Sequence, residues 1–260
     1  MPFTFAHPAA MLPLTRGRLV AGALVAGTLA PDVPYYLPLP SWPGTTAGAE
    51  THTVLGLVTL DLVIGVILYA AWRWAIRPAA LALLPEPWGR AADDQTVAQP
   101  DLRSTSGWAV VGVSVVVGAV THLLLDSLTH EYGPGGMIAA SVNAGGYRWW
   151  WLQVAFSVIG LALLAWWLGR WAASVAPVRG MRPTAGAWWA VAVVAVSTLA
   201  GAVIRLVRDD PALPAYDRFT SALVGAVIGA EIAAAVLVAL WWWERRTAHS
   251  DVARRPREEL

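Results

Sequence analysis

The chain has no cysteine and no lysine, and only 13% of its 260 residues are charged. A soluble domain carries about a quarter charged residues, so this composition excludes an ordinary soluble enzyme and a disordered protein. The absence of cysteine excludes a disulfide scaffold. All eighteen cationic side chains are arginine, and the formal net charge of +1 gives no reason to expect a nucleic-acid partner.

Long apolar stretches are abundant instead, since 57% of the residues are hydrophobic and sixteen are tryptophan. A helix needs about 20 apolar residues to cross a bilayer, and tryptophan at the ends of such segments marks the membrane interface. The sequence therefore predicts an all-α, polytopic membrane helix bundle whose natural partners are membrane lipids. Five segments have the required length: Thr53–Ala75, Gly107–His130, Trp149–Ala172, Gly186–Val207 and Phe219–Trp243.

A sixth apolar run, Leu19–Ala30, has only twelve residues and would extend about 18 Å as a helix. We expect it to be a short, partly inserted N-terminal helix, with a sixth transmembrane helix as the alternative. Arginine counts bear on the choice, because cytoplasmic loops are enriched in arginine. Five spans place twelve arginines on the side of the C-terminus and six opposite, and six spans change the division to fourteen against four.

Both divisions predict a cytoplasmic C-terminus. We expect residues 1–243 to form one membrane-embedded domain. Residues 244–260 are polar and rich in arginine, and we expect them to be a disordered cytoplasmic tail.

Three residues of metal-ligand type follow one another at the end of the second long segment. His122, Asp126 and His130 are spaced by four residues, so they share one face of a helix. Ionisable groups inside a membrane are costly unless they are paired, hydrated or bound to a cation. Imidazole and carboxylate are ligands that divalent zinc accepts, so the row predicts a metal site. Interhelical hydrogen bonds between these polar side chains are the alternative.

Three further residues extend the predicted ligand set: His7 near the N-terminus, Asp32 after the short helix and His52 before the first long segment. With five spans, all three lie on the same side of the membrane as His130, whereas six spans place His7 on the opposite side. Six ligands exceed the number that one catalytic zinc with an open position takes, and they suit two metals.

Other polar residues in the apolar segments have less specific predicted roles. Asp61 is placed to orient a ligand imidazole or to pair with an arginine. Glu231 lies beside the close-packing pattern Gly225-x-x-x-Gly229 and is a structural or proton-linked candidate. Three arginines near the predicted site side are candidates for holding a phosphate or for anchoring a loop at the headgroups: Arg205, Arg208 and Arg218.

Three separated motifs resemble an uncharacterised bacterial membrane family, domain of unknown function 4184. They are the opening decapeptide that contains His7, the Ala30-Pro31-Asp32 turn, and the helix His122-Leu-Leu-Leu-Asp126-Ser-Leu-Thr-His130. The resemblance implies a multi-pass protein of the bacterial cytoplasmic membrane, without an established activity.

More distantly, the Pro-Asp turn, Thr51-His52-Thr53 and His122-x-x-x-Asp126 are similar to membrane-bound metal-dependent hydrolases. Those hydrolases have serine where this chain has Thr53, and they carry an additional His-Arg that is missing here. The order of the ligands is also similar to that of the all-helical zinc phospholipase C and nuclease group.

These features favour a membrane-embedded hydrolase that depends on a divalent metal, zinc by its ligands. The metal would lower the pKa of a bound water towards about 7, and Asp126 or Glu50 would accept its proton. A phosphate ester or a lipid headgroup is the expected substrate. The alternative is a non-catalytic membrane protein, either an ion or proton carrier that uses Asp61 and Glu231 or a structural subunit.

Overall fold

A computed structural model describes residues 3–37, 39, 46–84, 88–89, 91–92, 100–129, 150–174 and 185–254. Every long regular element in these ranges is helical, which confirms the predicted all-α class. Their bounds are a 3₁₀ segment Thr4–Arg16, α1 Ala21–Leu29, a 3₁₀ turn Ala30–Asp32, α2 Val33–Tyr36, α3 Ala47–Thr51, α4 Val54–Val58, α5 Leu60–Ala71, a π-helical turn Trp72–Ile76, α6 Arg77–Leu83, α7 Thr105–Thr129, α8 Trp150–Ser174, α9 Ala185–Arg208 and α10 Ala215–Arg254.

Four of the described helices are long and apolar enough to cross a membrane, and they correspond to four of the five predicted segments. The qualifying parts are Thr105–Thr129, Leu152–Ser174, Gly186–Arg208 and Ala215–Thr247. Exposed aliphatic and aromatic side chains cover much of these helices, as expected for surfaces that face lipid. The chain is therefore a membrane protein with helical spans.

The remaining predicted segment, Thr53–Ala75, is not one continuous helix. The Thr53 hydroxyl accepts a hydrogen bond from the Gly56 amide (2.9 Å) and so begins α4 as an N-cap. The chain breaks again at Thr59, whose φ of −119° and ψ of −93° lie outside the helical region. The prediction of one uninterrupted span from Thr53 is therefore wrong, because the five-residue α4 precedes α5 and Thr59 separates the two helices.

The chain divides into two compact units. The first comprises Met1–Arg73 and Ala91–Pro177, and the second comprises Trp74–Arg90 and Val178–Leu260. Small and aromatic side chains from α1, α5 and α7 form the core of the first unit, which includes Ala23, Ala26, Tyr69, Val111 and Val115.

The 3₁₀ segment and α1 form a hairpin that lies along α7. In the 3₁₀ segment, the sulfur of Met11 contacts the Thr121 hydroxyl of α7 (3.7 Å). At the bend of the hairpin, the Val20 amide donates a hydrogen bond to Oγ of Ser114 (3.0 Å). The returning α1 then brings the Thr28 carbonyl to His122 (2.7 Å). The hairpin therefore begins and ends at the same end of α7.

Glycines allow α1 and α7 to approach each other at backbone distance. A Cβ atom at Gly118 would clash with the carbonyl oxygen of Leu24, and one at Gly27 would clash with the carbonyl oxygen of Val115. Only hydrogen at these two positions permits the approach. Gly27 precedes Thr28 in the chain, and Gly118 lies one helical turn before His122. Because the Thr28 carbonyl is hydrogen-bonded to His122, this close contact of α1 and α7 positions the end of the hairpin.

In the second unit, α9 and α10 pack through the predicted glycine pattern. A Cβ at Gly225 would clash with the carbonyl oxygen of Gly201, and one at Gly229 would clash with that of Ser197. The long α10 continues beyond the predicted membrane segment as far as Arg254. Within it the Arg245 guanidinium packs over the Trp241 ring (4.4 Å). The expected disorder of residues 244–260 stays a prediction.

Candidate metal centre

Five predicted ligands come together at one end of the first unit. They are supplied by the 3₁₀ segment, the turn after α1, the end of α3 and the last turns of α7: His7, Asp32, His52, His122 and Asp126. All except His52 are buried, and Asp126, the most exposed of those four, has only 7% of its surface accessible. The helical spacing of His122 and Asp126 turns both side chains towards the hairpin.

Two imidazole nitrogens and two carboxylate oxygens face one another at the centre of this cluster. The Nε2 atom of His52 lies 3.6 Å from Oδ1 of Asp32 and 3.5 Å from Oδ2 of Asp126. The Nε2 atom of His122 lies 3.5 Å from each of the same two oxygens. Asp32 Oδ1 and both Nε2 atoms have no hydrogen-bond partner among the residues that the structure describes.

Each of these four separations is close to the spacing of two ligand atoms on one metal ion. Two atoms that each lie about 2.1 Å from a tetrahedral zinc ion, the usual length of a zinc–imidazole or zinc–carboxylate bond, are about 3.4 Å apart. Each imidazole–carboxylate pair of the cluster is therefore spaced as two ligands of one small divalent cation would be.

Backbone carbonyls orient the two central imidazoles. His122 donates from Nδ1 to the Thr28 carbonyl (2.7 Å), and His52 donates from Nδ1 to the Gly48 carbonyl (2.7 Å). Both carbonyls belong to the last turn of a short helix, where carbonyls lack intrahelical partners. With the proton held on Nδ1, the lone pair of Nε2 points into the cluster, which is the tautomer that a metal-binding histidine requires.

His7 lies beside these four residues rather than among them. Its ring stacks on that of His122, with centroids 3.9 Å apart and planes 14° apart. Its Nε2 is 3.2 Å from Oδ1 of Asp126, and its Nδ1 is 3.2 Å from the Thr4 carbonyl. The two oxygens of Asp126 thus face different imidazoles, so His7 holds the carboxylate while its other oxygen turns towards His52 and His122.

A relay of hydroxyl groups holds the second carboxylate. The Thr4 hydroxyl donates to Oδ2 of Asp32 (2.6 Å), so the Tyr36 hydroxyl, 2.5 Å from Thr4 Oγ1, must donate to Thr4. This leaves Oδ1 of Asp32 free to face the imidazoles. Neither Thr4 nor Tyr36 is among the residues predicted from the sequence, although both lie within four residues of a predicted ligand.

The charges within the cluster need a cation or protons between them. Burial alone would raise the pKa of Asp32, but its contacts with His122 and His52 outweigh this effect and hold the pKa well below its usual range. Burial alone would lower the pKa of His52, but Asp126 and Asp32 raise it to about 9. An ionised Asp32 is thus favoured, and it requires positive charge on the imidazoles or a bound metal to balance it.

The family model that matches this chain covers residues 1–242, which include all five clustered ligands. The chain belongs to the family described as domain of unknown function DUF4184. The predicted resemblance to this family is therefore confirmed. No curated protein and no solved structure matches the chain.

Three other residues predicted for the site of this DUF4184 member are not among the five clustered ligands. His130 lies outside the described residues, so its role as a ligand stays a prediction. Glu50 is half-buried two residues before His52, and its role as a proton acceptor also stays a prediction. Asp61 is fully buried, and neither carboxylate oxygen has a hydrogen-bond partner among the described residues. It does not orient His52 or His122 through Nδ1, because backbone carbonyls occupy those positions.

The remaining candidates belong to the second unit. Glu231 is exposed on α10, within a helix that qualifies as a membrane span. The three arginines proposed for anion binding lie at the end of α9 and the start of α10, with Arg205 and Arg208 exposed and Arg218 half-buried. Their proposed roles stay predictions.

Proposed function

We propose that the cluster binds one divalent metal ion, and that this ion is zinc. Asp32, His52, His122 and Asp126 would supply the ligand atoms, and His7 and Thr4 would hold the two carboxylates from outside. The observation that carries this proposal is the set of four nitrogen–oxygen separations of 3.5 to 3.6 Å between the two imidazoles and the two carboxylates. Two ionised carboxylates also balance the charge of a divalent cation, so the loaded site is electrically neutral.

The donor set favours catalysis over a structural role for the metal. Structural zinc sites are built mainly from cysteine thiolates, which this chain lacks, whereas catalytic sites use histidine and carboxylate and remain open to a small molecule. Because four protein ligands fill a tetrahedral zinc ion, a water or an ester oxygen would enter as a fifth ligand, from the side of His52, where 23% of the side chain is accessible. A bound zinc ion supplies an acidified water or a polarised ester oxygen.

We therefore propose that the protein is a membrane-embedded hydrolase of phosphate esters. Among the described residues, Asp61 and Glu50 are the nearby carboxylates outside the four proposed ligands, and we keep Glu50 as the expected proton acceptor. A carrier would need a wet path through the membrane, and the complete burial of Asp61 gives no support for one.

The hairpin also supports a proposal about the number of membrane spans and the membrane side of His7. Because the 3₁₀ segment and α1 leave from and return to the same end of α7, His7 belongs on the membrane side of Asp32 and Asp126. We propose five spans with α1 as a partly inserted helix of nine residues, a cytoplasmic C-terminus and residence in the bacterial cytoplasmic membrane.

The test of the proposed reaction is metal-dependent hydrolysis by the purified full-length chain. Chromogenic phosphate mono- and diesters are incubated with the metal-free protein, with the zinc-loaded protein and with zinc-loaded Asp126→Asn. We expect turnover only in the zinc-loaded wild type, with Glu231→Gln as a matched control outside the cluster that retains it. Equal rates with and without zinc would contradict the proposal.

A further inference from the structure

The cluster opens to the exterior at His52. The accessible fraction of the side chain is 23% for His52 and 9% for Asp126, but 0% for His7, Asp32 and His122. A ligand that reaches the centre of the described cluster therefore passes beside His52 and Asp126. The chemistry of the surface around His52 then decides which substrates can arrive.

Tyr35, which contacts His52, and α4, which begins two residues after His52, expose apolar side chains. We call this surface the apolar rim, and it consists of Tyr35, Val54, Leu55 and Val58. Their exposed fractions are 45%, 81%, 63% and 58%. The Tyr35 ring stands edge-on to the His52 ring, with centroids 5.9 Å apart, and α4 begins two residues after His52. A five-residue helix that leaves three aliphatic side chains uncovered is unfavourable in water, but it is stable against hydrocarbon.

The position of the cluster along α7 matches the level of lipid headgroups. This helix has 25 residues and is about 38 Å long, so its ends extend beyond a hydrocarbon core of about 30 Å. Asp126 lies three residues before the end of α7 at Thr129, about 5 Å along the axis. The ligands therefore lie close to the boundary between acyl chains and headgroups, with the apolar rim beside them.

We propose that the site takes its substrate directly from the bilayer, and that this substrate is a phosphate-bearing lipid. Its headgroup oxygens enter beside His52 to reach the metal, while its acyl chains stay in contact with the apolar rim. This inference rests on the proposed metal function and adds the class of substrate. Inorganic phosphate has no apolar part to cover Val54, Leu55 and Val58, so the rim gives it no affinity.

Phosphorus NMR on the full-length chain loaded with paramagnetic cobalt tests this proposal. The protein is reconstituted in phosphatidylcholine vesicles with a minor fraction of phosphatidic acid, and free cobalt is removed. Phosphatidic acid and added inorganic phosphate give separate signals, so the broadening of each reports its approach to the metal. Vesicles with the His122→Ala protein correct for cobalt bound to the lipid surface.

Two double variants distinguish an effect of the apolar rim from an effect of exposed apolar surface elsewhere on the protein. Val54→Ser/Val58→Ser alters the rim, and Val110→Ser/Val113→Ser makes the same change on exposed positions of α7 about 20 Å from Asp126. We expect the wild type and the α7 variant to broaden the phosphatidic acid signal. The rim variant should bind cobalt and broaden inorganic phosphate as the wild type does, but lose about tenfold in lipid affinity.

Each contrary result identifies what has failed. If the wild type broadens inorganic phosphate but not phosphatidic acid, the substrate is water-soluble and the lipid proposal is wrong while the metal site stands. If the rim variant equals the wild type, the rim does not receive the lipid, and the proposal is overturned. If the wild type binds no cobalt, the proposed metal function fails, and the inference falls with it.

Discussion

Substitution of Gly118 by alanine tests whether the close approach of α1 and α7 builds the metal centre. The new Cβ would clash with the carbonyl oxygen of Leu24, so α1 must retreat by about 1 Å. Gly112→Ala on the same helix is the matched control, because its Cβ would meet only a side-chain methyl group of Leu62 at 3.7 Å, an ordinary contact. The gain in helix propensity of about 1 kcal/mol is common to both variants and cancels in the comparison.

What remains is the cost of overpacking, about 1–3 kcal/mol. Gly118→Ala should therefore unfold at a lower temperature than Gly112→Ala in the same detergent. Its retreating α1 should also withdraw the Thr28 carbonyl from Nδ1 of His122, now 2.7 Å away. Loss of such a supporting hydrogen bond lowers metal affinity by about 10- to 100-fold, which a zinc titration against a chromogenic chelator measures. Equal unfolding temperatures and equal zinc affinities for the two variants would refute the reasoning.

Further predictions concern the relay, the charges of the cluster and the second unit. Thr4→Val removes the donor to Asp32, so zinc affinity in the same titration should fall by about 10- to 100-fold, and Thr4→Ser should restore it. The pKa of His52 is raised from 6.5 to about 9, so without metal its stabilising contribution is complete below pH 6.5 and is lost as the pH rises through 9. Thermal unfolding should therefore show the metal-free wild type losing its advantage over His52→Gln across this interval, whereas a constant difference would contradict the assignment. Gly201→Val should disrupt the contact of α9 with Gly225 and lower the unfolding temperature, while zinc binding by the first unit stays unchanged.

The helical class and most of the membrane segments are predictable because each depends on a local pattern. About 20 apolar residues bounded by tryptophan determine a span without reference to the rest of the chain. The exception, Thr53–Ala75, has the right hydropathy, but the threonine hydroxyls at positions 53 and 59 bond locally and interrupt the helix. Hydropathy averages over such side chains and therefore does not register the break.

The ligands themselves are predictable because ionisable residues are rare in this chain and stand out in its apolar segments. His122 and Asp126 share a helix face by spacing alone, but Asp32 and His7 reach them only because a hairpin folds back along α7. That hairpin depends on glycine contacts between distant residues, Gly27 and Gly118, which no local pattern reveals. Thr4 was missed for the same reason, since its role arises from a partner 28 residues away.

The most direct test of the account is the zinc content and zinc coordination of the purified full-length protein. The wild type, supplied with zinc and then freed of excess metal, should retain one zinc ion per chain. X-ray absorption should show only nitrogen and oxygen neighbours at about 2.0–2.2 Å, with the scattering pattern of imidazole. His122→Ala and Asp126→Ala should retain none, while His249→Ala, which removes a histidine from the second unit, should retain the full amount. A wild type that holds no zinc, or three variants that hold as much as the wild type, would contradict a metal centre at this cluster.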